Sequence, residues 1–303
     1  MSLKHVEEYR SADLSRSLAE KIRRISTRKI RLMEVCGTHT VSIFRSGIRS
    51  LLPETISLLS GPGCPVCVTA QSEIDAFIAL ARTEGVIITT FGDLMRVPGT
   101  VSSLQKQRAE GRDIRIVYST MDAVDVARKN PDKKVVFLGV GFETTAPTIA
   151  AAIVTARQTG LDNFFVYSAH KLVPPALTAL MSLSGVNVDG FILPGHVSVI
   201  IGLDGYRDFF ETHLIPCVVA GFEPTDLLQA IAMLVEQVET GAPALENAYG
   251  RAVTDAGNPA ARKLLQEVFK TAGVAWRGIG VIAGSGLKIR DSYAAFDAEK
   301  MFA

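Results

Sequence analysis

The sequence predicts an α/β fold built of two similar parallel-sheet, Rossmann-like domains followed by a C-terminal extension. Three observations predict it. Short apolar runs rich in Val, Ile and Phe recur without polar alternation, as in strands buried on both faces. Helical patterns lie between them, an alternation that gives parallel sheets with right-handed crossovers. Short matches also recur: Gly-Phe-Glu at 141–143 and 221–223, Val-Tyr-Ser at 117–119 and 166–168, and a Gly followed by His at Gly37–His39 and Gly195–His196. Together they suggest a duplication.

In chain order, the first 24 residues are charged and helical in pattern. Strands are expected at 31–36, 56–60, 86–91 and 114–119, then at 134–140, 163–168, 189–194 and 216–220. Helices are expected between them, as at 72–85, 148–160 and 226–239. A split near Asn130-Pro131-Asp132 gives domains 1–132 and 133–245. Residues 240–259 read as a turn-rich connector into an extension over 246–303, which would pack on the first domain. Its last stretch, from Arg277, can add strands to either sheet.

With 303 residues, 48% hydrophobic and a net charge of +1, the chain can bury real cores but has no cationic surplus for nucleic acid. No apolar run reaches membrane-spanning length. The N-terminus lacks the apolar stretch of a signal peptide, so a cytoplasmic location is expected. Thiols stay reduced there, and a Cys-x-x-Cys pair then points to metal or redox chemistry.

The four cysteines are unevenly placed: Cys36, Cys64 and Cys67 end the first two strands, and Cys217 stands alone. In parallel sheets the strand C-termini carry the chemistry. Cys64-Pro65-Val66-Cys67 can form a disulfide or share a metal. If Val68 opens a helix, the dipole favours the thiolates. Cys36 and His39 can act as ligands for a soft or borderline metal or as nucleophile and base. Other strand ends offer Asp93 and Arg96, then Glu143, Thr144 and Thr145, then His196 and Ser198. Capping would account for Thr144, Thr145 and Ser198. His5, His213 and Cys217 read as packing or surface residues. There is no Walker A loop, and GVGFE (139–143) lacks a full dinucleotide fingerprint.

The motifs CGTHT, GPGCPVC, FGDLMRVPG, GFETT, PGHVS and VVAGFEP, in this order, resemble the HypD family of hydrogenase maturation factors across residues 6–302. The resemblance implies two α/β domains around a cleft. It implies a metallochaperone-like scaffold that assembles the Fe(CN)2CO group of [NiFe]-hydrogenase, with a HypC-like chaperone and a HypE-like cyanide donor. It makes Cys36 the metal ligand, shared with HypC, Cys64 and Cys67 a redox-active pair, and His39 the motif histidine. Asp93, Arg96, Glu143, Thr144 and His196 would position small ligands or a partner tail. The family also carries a [4Fe-4S] cluster on cysteines beyond the FDAE motif, here at 296–299, and no cysteine follows Cys217. Within the same cysteine set, a thiol–disulfide oxidoreductase or metal-dependent enzyme is the alternative.

Overall fold

The computed structural model describes residues 11–302. Strands follow the order β1 (Ile30–Glu34), β2 (Ile56–Ser60), β3 (Val86–Thr90), β4 (Ile114–Ile116), β5 (Lys134–Gly139), β6 (Phe164–Ser168), β7 (Gly190–Pro194), β8 (Cys217–Ala220), β9 (Leu245–Asn247), β10 (Phe269–Trp276) and β11 (Gly280–Ile289). All eight expected strands form. Their side chains explain why: β3, β7 and β8 are buried along their whole length, and each fully buried Val, Ile or Leu contributes about 1.5–3 kcal/mol.

The chain divides into two compact units, but not at 132. The first joins Met1–Cys64 to Ala176–Pro259; the second joins Pro65–Pro175 to Ala260–Ala303. The pairing shows the reason. β5, placed by the sequence in a second domain, lies beside β3 in one parallel ladder, with Ile88 opposite Val136. β7 lies beside β1, with Met33 opposite Phe191. Short runs such as VVFLG carry no information about which neighbour they choose, so the sequence points only to a split in chain order.

The first unit holds an all-parallel sheet in the order β2-β1-β7-β8-β9. β9 arises inside the expected connector. Helices Ala12–Ile25 and Pro224–Thr240 belong to this unit, and Ile22, Leu32, Ile192, Val218 and Leu234 share its core. The two Gly-His strand ends both fall here, after β1 and β7, rather than one in each half.

The second unit holds the parallel sheet β4-β3-β5-β6. Both Val-Tyr-Ser matches fall in this unit, so they do not mark a repeat between units. The unassigned C-terminal stretch is an antiparallel hairpin, β10–β11, on a sheet of its own. Val268, Phe269, Leu287 and Ile289 bury it in the core of this unit. Trp276 is 2% exposed, stacks on Phe142 and donates from its indole N–H to Ser285 at 2.9 Å. Among the described residues, no helix is long and apolar enough to cross a membrane.

Candidate functional site

At the C-terminal edge of the first unit's sheet, the chain leaves β1 through Val35 and enters helix Gly37–Arg45, with Cys36 at the N-cap. Cys36 has extended backbone (φ −151°, ψ 118°), and its carbonyl accepts the first helical hydrogen bond, from Thr40 N at 3.1 Å. The thiol is 8% exposed. Burial raises its pKa, while hydrogen bonding from the His39 and Thr38 amides and the Thr38 hydroxyl favours the thiolate. Those amides belong to the first turn, whose N–H groups lack intrahelical partners.

The loop after β2 comes against this segment. Gly61 N donates to Glu34 O at 2.8 Å, and Gly37 N donates to Gly63 O at 2.8 Å. The approach needs glycine. A Cβ on Gly63 would lie 2.2 Å from Cys36 N, and one on Gly61 2.9 Å from Glu34 O. Cys64 follows directly, and a Cβ on Gly37 would be 3.8 Å from Cys64 Cβ. All four cysteines are thiols; Cys67 is exposed and Cys217 is buried.

Cys67 lies in a short helix, Pro65–Val68, that ends at Val68 instead of starting there. The Thr69 hydroxyl closes it on Pro65 O at 2.8 Å, and a new helix begins at Gln71. Cys64 ends the first segment of the first unit, while Cys67 falls in the second. The four central residues therefore do not all share one unit: Cys36, His39 and Cys64 do.

His39 is wholly buried. Its Nε2 lies 3.2 Å from Ala220 O and 3.0 Å from Gly221 O, so Nε2 carries the proton and donates. Burial lowers its pKa to about 4, against the effect of those carbonyls. A neutral ring with these bonds ties helix Gly37–Arg45 to the end of β8. Its Nδ1 is buried without a hydrogen-bond partner. Phe222 stacks on His196 at 3.8 Å and meets His39 in a tilted contact at 4.9 Å, by ring centroids. His196 is exposed, and partial burial lowers its pKa. Asp226 fixes the Gly221–Phe222 turn, accepting from Glu223 N at 3.1 Å and from the two terminal guanidinium nitrogens of Arg251 at 2.7 and 2.6 Å.

The remaining expected site residues lie in the second unit. Asp93 and Arg96 are exposed on a 3-10 turn after β3, and Asp93 accepts from Leu94 N at 2.9 Å. Glu143 is 3% exposed after β5. Its Oε1 accepts from Val173 N at 2.8 Å, its Oε2 is buried without a partner, and burial raises its pKa to about 7. Thr144 is partly buried beside it. Thr145 holds the N-cap position of helix Ala146–Gln158 without a side-chain cap bond, its hydroxyl donating to Phe142 O. Ser198 lies inside helix Gly195–Ile201 and donates to Pro194 O. Capping therefore explains neither hydroxyl. His213 packs on Phe209 and Cys217 is core, both as expected; His5 lies outside the described residues.

Sequence reasoning missed Glu34, the last residue of β1, 2% exposed. Its signal was a carboxylate inside the apolar run before Cys36. It also missed the buried pair in the second unit, where Lys171 Nζ reaches both Glu73 oxygens at 2.8 and 2.9 Å. Glu73 also accepts from Ala70 N at 2.9 Å, holding the helix that follows Cys67.

A family model, HypD, described as "Hydrogenase formation hypA family", matches residues 13–303. The chain belongs to the HypD family. Among curated relatives, it is 46% identical to hydrogenase maturation factor HypD of Azotobacter vinelandii, covering 99% of this chain and 82% of that protein. It is 44% identical to HypD of Escherichia coli strain K12, over 99% of this chain and 83% of that protein. A putative hydrogenase expression/formation protein of Methanocaldococcus jannaschii is 47% identical, over 95% and 78%. The motifs that carry the HypD resemblance are the strand ends described above, with Cys36, Cys64 and His39 on one sheet edge.

Proposed function

We propose that this chain acts in hydrogenase maturation as a cytoplasmic scaffold on which an iron ion, its cargo, acquires two cyanides and one carbon monoxide. Cys36 holds the iron in complex with a HypC-like chaperone, and a HypE-like donor supplies cyanide. Cys64 and Cys67 form a redox-active dithiol that an external two-electron oxidant, taking up two electrons and two protons, closes to a disulfide and a dithiol reductant reopens. The chain is an assembly scaffold with redox-active thiols more than a free-standing enzyme.

One observation carries this reading. Cys36 is a shielded thiol at a helix N-cap, its pKa raised by burial and only partly held down by the first amides of the helix, with the Cys64 loop hydrogen-bonded to the adjacent Gly37. A thiolate is a soft ligand suited to iron. Among the described residues, no three His, Cys, Asp or Glu side chains converge to hold a metal. Iron on Cys36 would then complete its coordination with cyanide, carbon monoxide and a partner's ligand. Asp93, Arg96, Glu143, Thr144 and His196 would position small ligands or the partner.

Anaerobic co-purification with a HypC-like protein tests the proposal. Stoichiometric iron in the complex supports it. Iron-free complex, together with turnover of a disulfide substrate by Cys64 and Cys67, supports a thiol–disulfide oxidoreductase instead.

A further inference from the structure

Glu34 is an expensive residue for its place. It ends a parallel strand with an inward-facing, 2% exposed side chain, where an aliphatic group would pack without desolvating a charge. Burial raises its pKa, opposed by hydrogen bonds from Thr40, Cys36 and Ser60 and by the charge of Arg49. Each oxygen has a distinct task. Oε2 accepts the Cys36 amide at 3.0 Å. Oε1 accepts the Thr40 hydroxyl at 2.5 Å, one helical turn further on. The Glu34 carbonyl takes Gly61 N at 2.8 Å, at the start of the loop that leads to Cys64. One residue thus anchors the backbone of Cys36, the first turn of its helix and the neighbouring cysteine loop.

We propose that Glu34 is a positioning residue for Cys36, fixing the peptide that presents this thiol to its metal. It acts through Cys36 and does not itself touch the iron. The inference rests on the reading of Cys36 as the iron ligand, but its test uses metal-free protein, so the two can fail separately.

Trypsin separates the thiols. Cys36 falls in the peptide 32–45, Cys64 and Cys67 in 50–82, and Cys217 in 208–251. The native protein is pulsed with iodoacetamide, and labelling rates at Cys36 and Cys217 are read by mass spectrometry. In Glu34→Ala the Cys36 rate should rise about tenfold or more, as expected when a buried hydrogen-bond acceptor is removed and its donors are left unsatisfied, with Cys217 still protected. Glu34→Gln retains an acceptor for the Cys36 amide and can donate to Thr40, so its rate should stay within about threefold of the parent. If Glu34→Ala exposes Cys217, the shorter Glu34→Asp, which cannot reach both partners, carries the same comparison. An unchanged Cys36 rate in a folded Ala or Asp variant, with only a lower melting temperature, would make Glu34 merely structural and overturn the proposal. A Gln variant as reactive as Ala would also overturn it, since charge and not anchoring would then govern the thiol.

Discussion

The amide of Gly37 donates to the carbonyl of Gly63 across 2.8 Å, and this bond joins the segment after β1 to the segment after β2. Cys36 and Cys64 flank it. The site geometry in the first unit therefore depends on two backbones in close approach, and the glycines are unequal in that respect. A Cβ at Gly63 would meet Cys36 N at 2.2 Å and Val35 C at 2.4 Å, whereas one at Gly37 would meet Gly63 O at 3.6 Å.

Gly63→Ala should therefore force the loops apart, at a cost of about 1–3 kcal/mol or more, and raise Cys36 labelling by iodoacetamide. Gly37→Ala should leave both nearly unchanged. Equal effects from the two substitutions, measured by thermal melting and alkylation, would count against this packing.

Glu143 should impose a pH dependence on stability. Its carboxyl is raised from 4.5 to about 7 by burial, so between these values the folded chain holds a proton that the unfolded chain has released. Stability then falls as pH rises through this window, by on the order of 1.4 kcal/mol for each pH unit crossed. Glu143→Gln removes the charge that burial opposes. Melting curves should show the variant gaining on the parent at about pH 8 and matching it near pH 4. A constant difference across this range would mean that Glu143 does not titrate there.

Lys171→Met should be costly in the second unit. It leaves Glu73 without its cation in a site where the lysine is fully buried, a loss of about 3–5 kcal/mol when one partner of a buried pair is removed. Adding Glu73→Leu should recover part of that loss. Urea denaturation of the single and double variants should show the double variant losing less than the sum of the two single losses, and strictly additive losses would mean that the pair is misplaced.

Much of this architecture was legible in the sequence. Runs such as VVFLG and CVVA could only be strands buried on both faces, and Gly or Pro marked where each ended. The strand-end placement of Cys36, Cys64, Asp93, Glu143 and His196 followed from the same rhythm. Strand partners were not legible, because β1 and β7 are separated by more than a hundred residues and their pairing depends on tertiary packing. The role of His39 was equally hidden. Its burial and its bonds to Ala220 and Gly221 arise from a turn after β8, and no local pattern reports them. Glu34 was visible as a misfit in an apolar run, but its partner Thr40 lies on the next helix.

Cys64 and Cys67 should close reversibly to a disulfide. Under mild oxidation the peptide 50–82 should become lighter by a pair of hydrogens, resist alkylation, and recover with a dithiol reductant. Cys217 should remain unmodified throughout, since burial raises its pKa strongly. Full alkylation of both thiols under every oxidising condition would argue for a metal role in place of a redox one.

Cys36 is the proposed iron ligand. Infrared spectroscopy of the anaerobic complex with a HypC-like partner tests this role most directly, because cyanide and carbon monoxide on iron give separate stretching bands. Cys36→Ser keeps the size of the side chain but removes the soft, ionisable ligand. Cyanide and carbonyl bands are expected in the parent complex and none in a folded Cys36→Ser complex. Undiminished bands in Cys36→Ser would contradict this role.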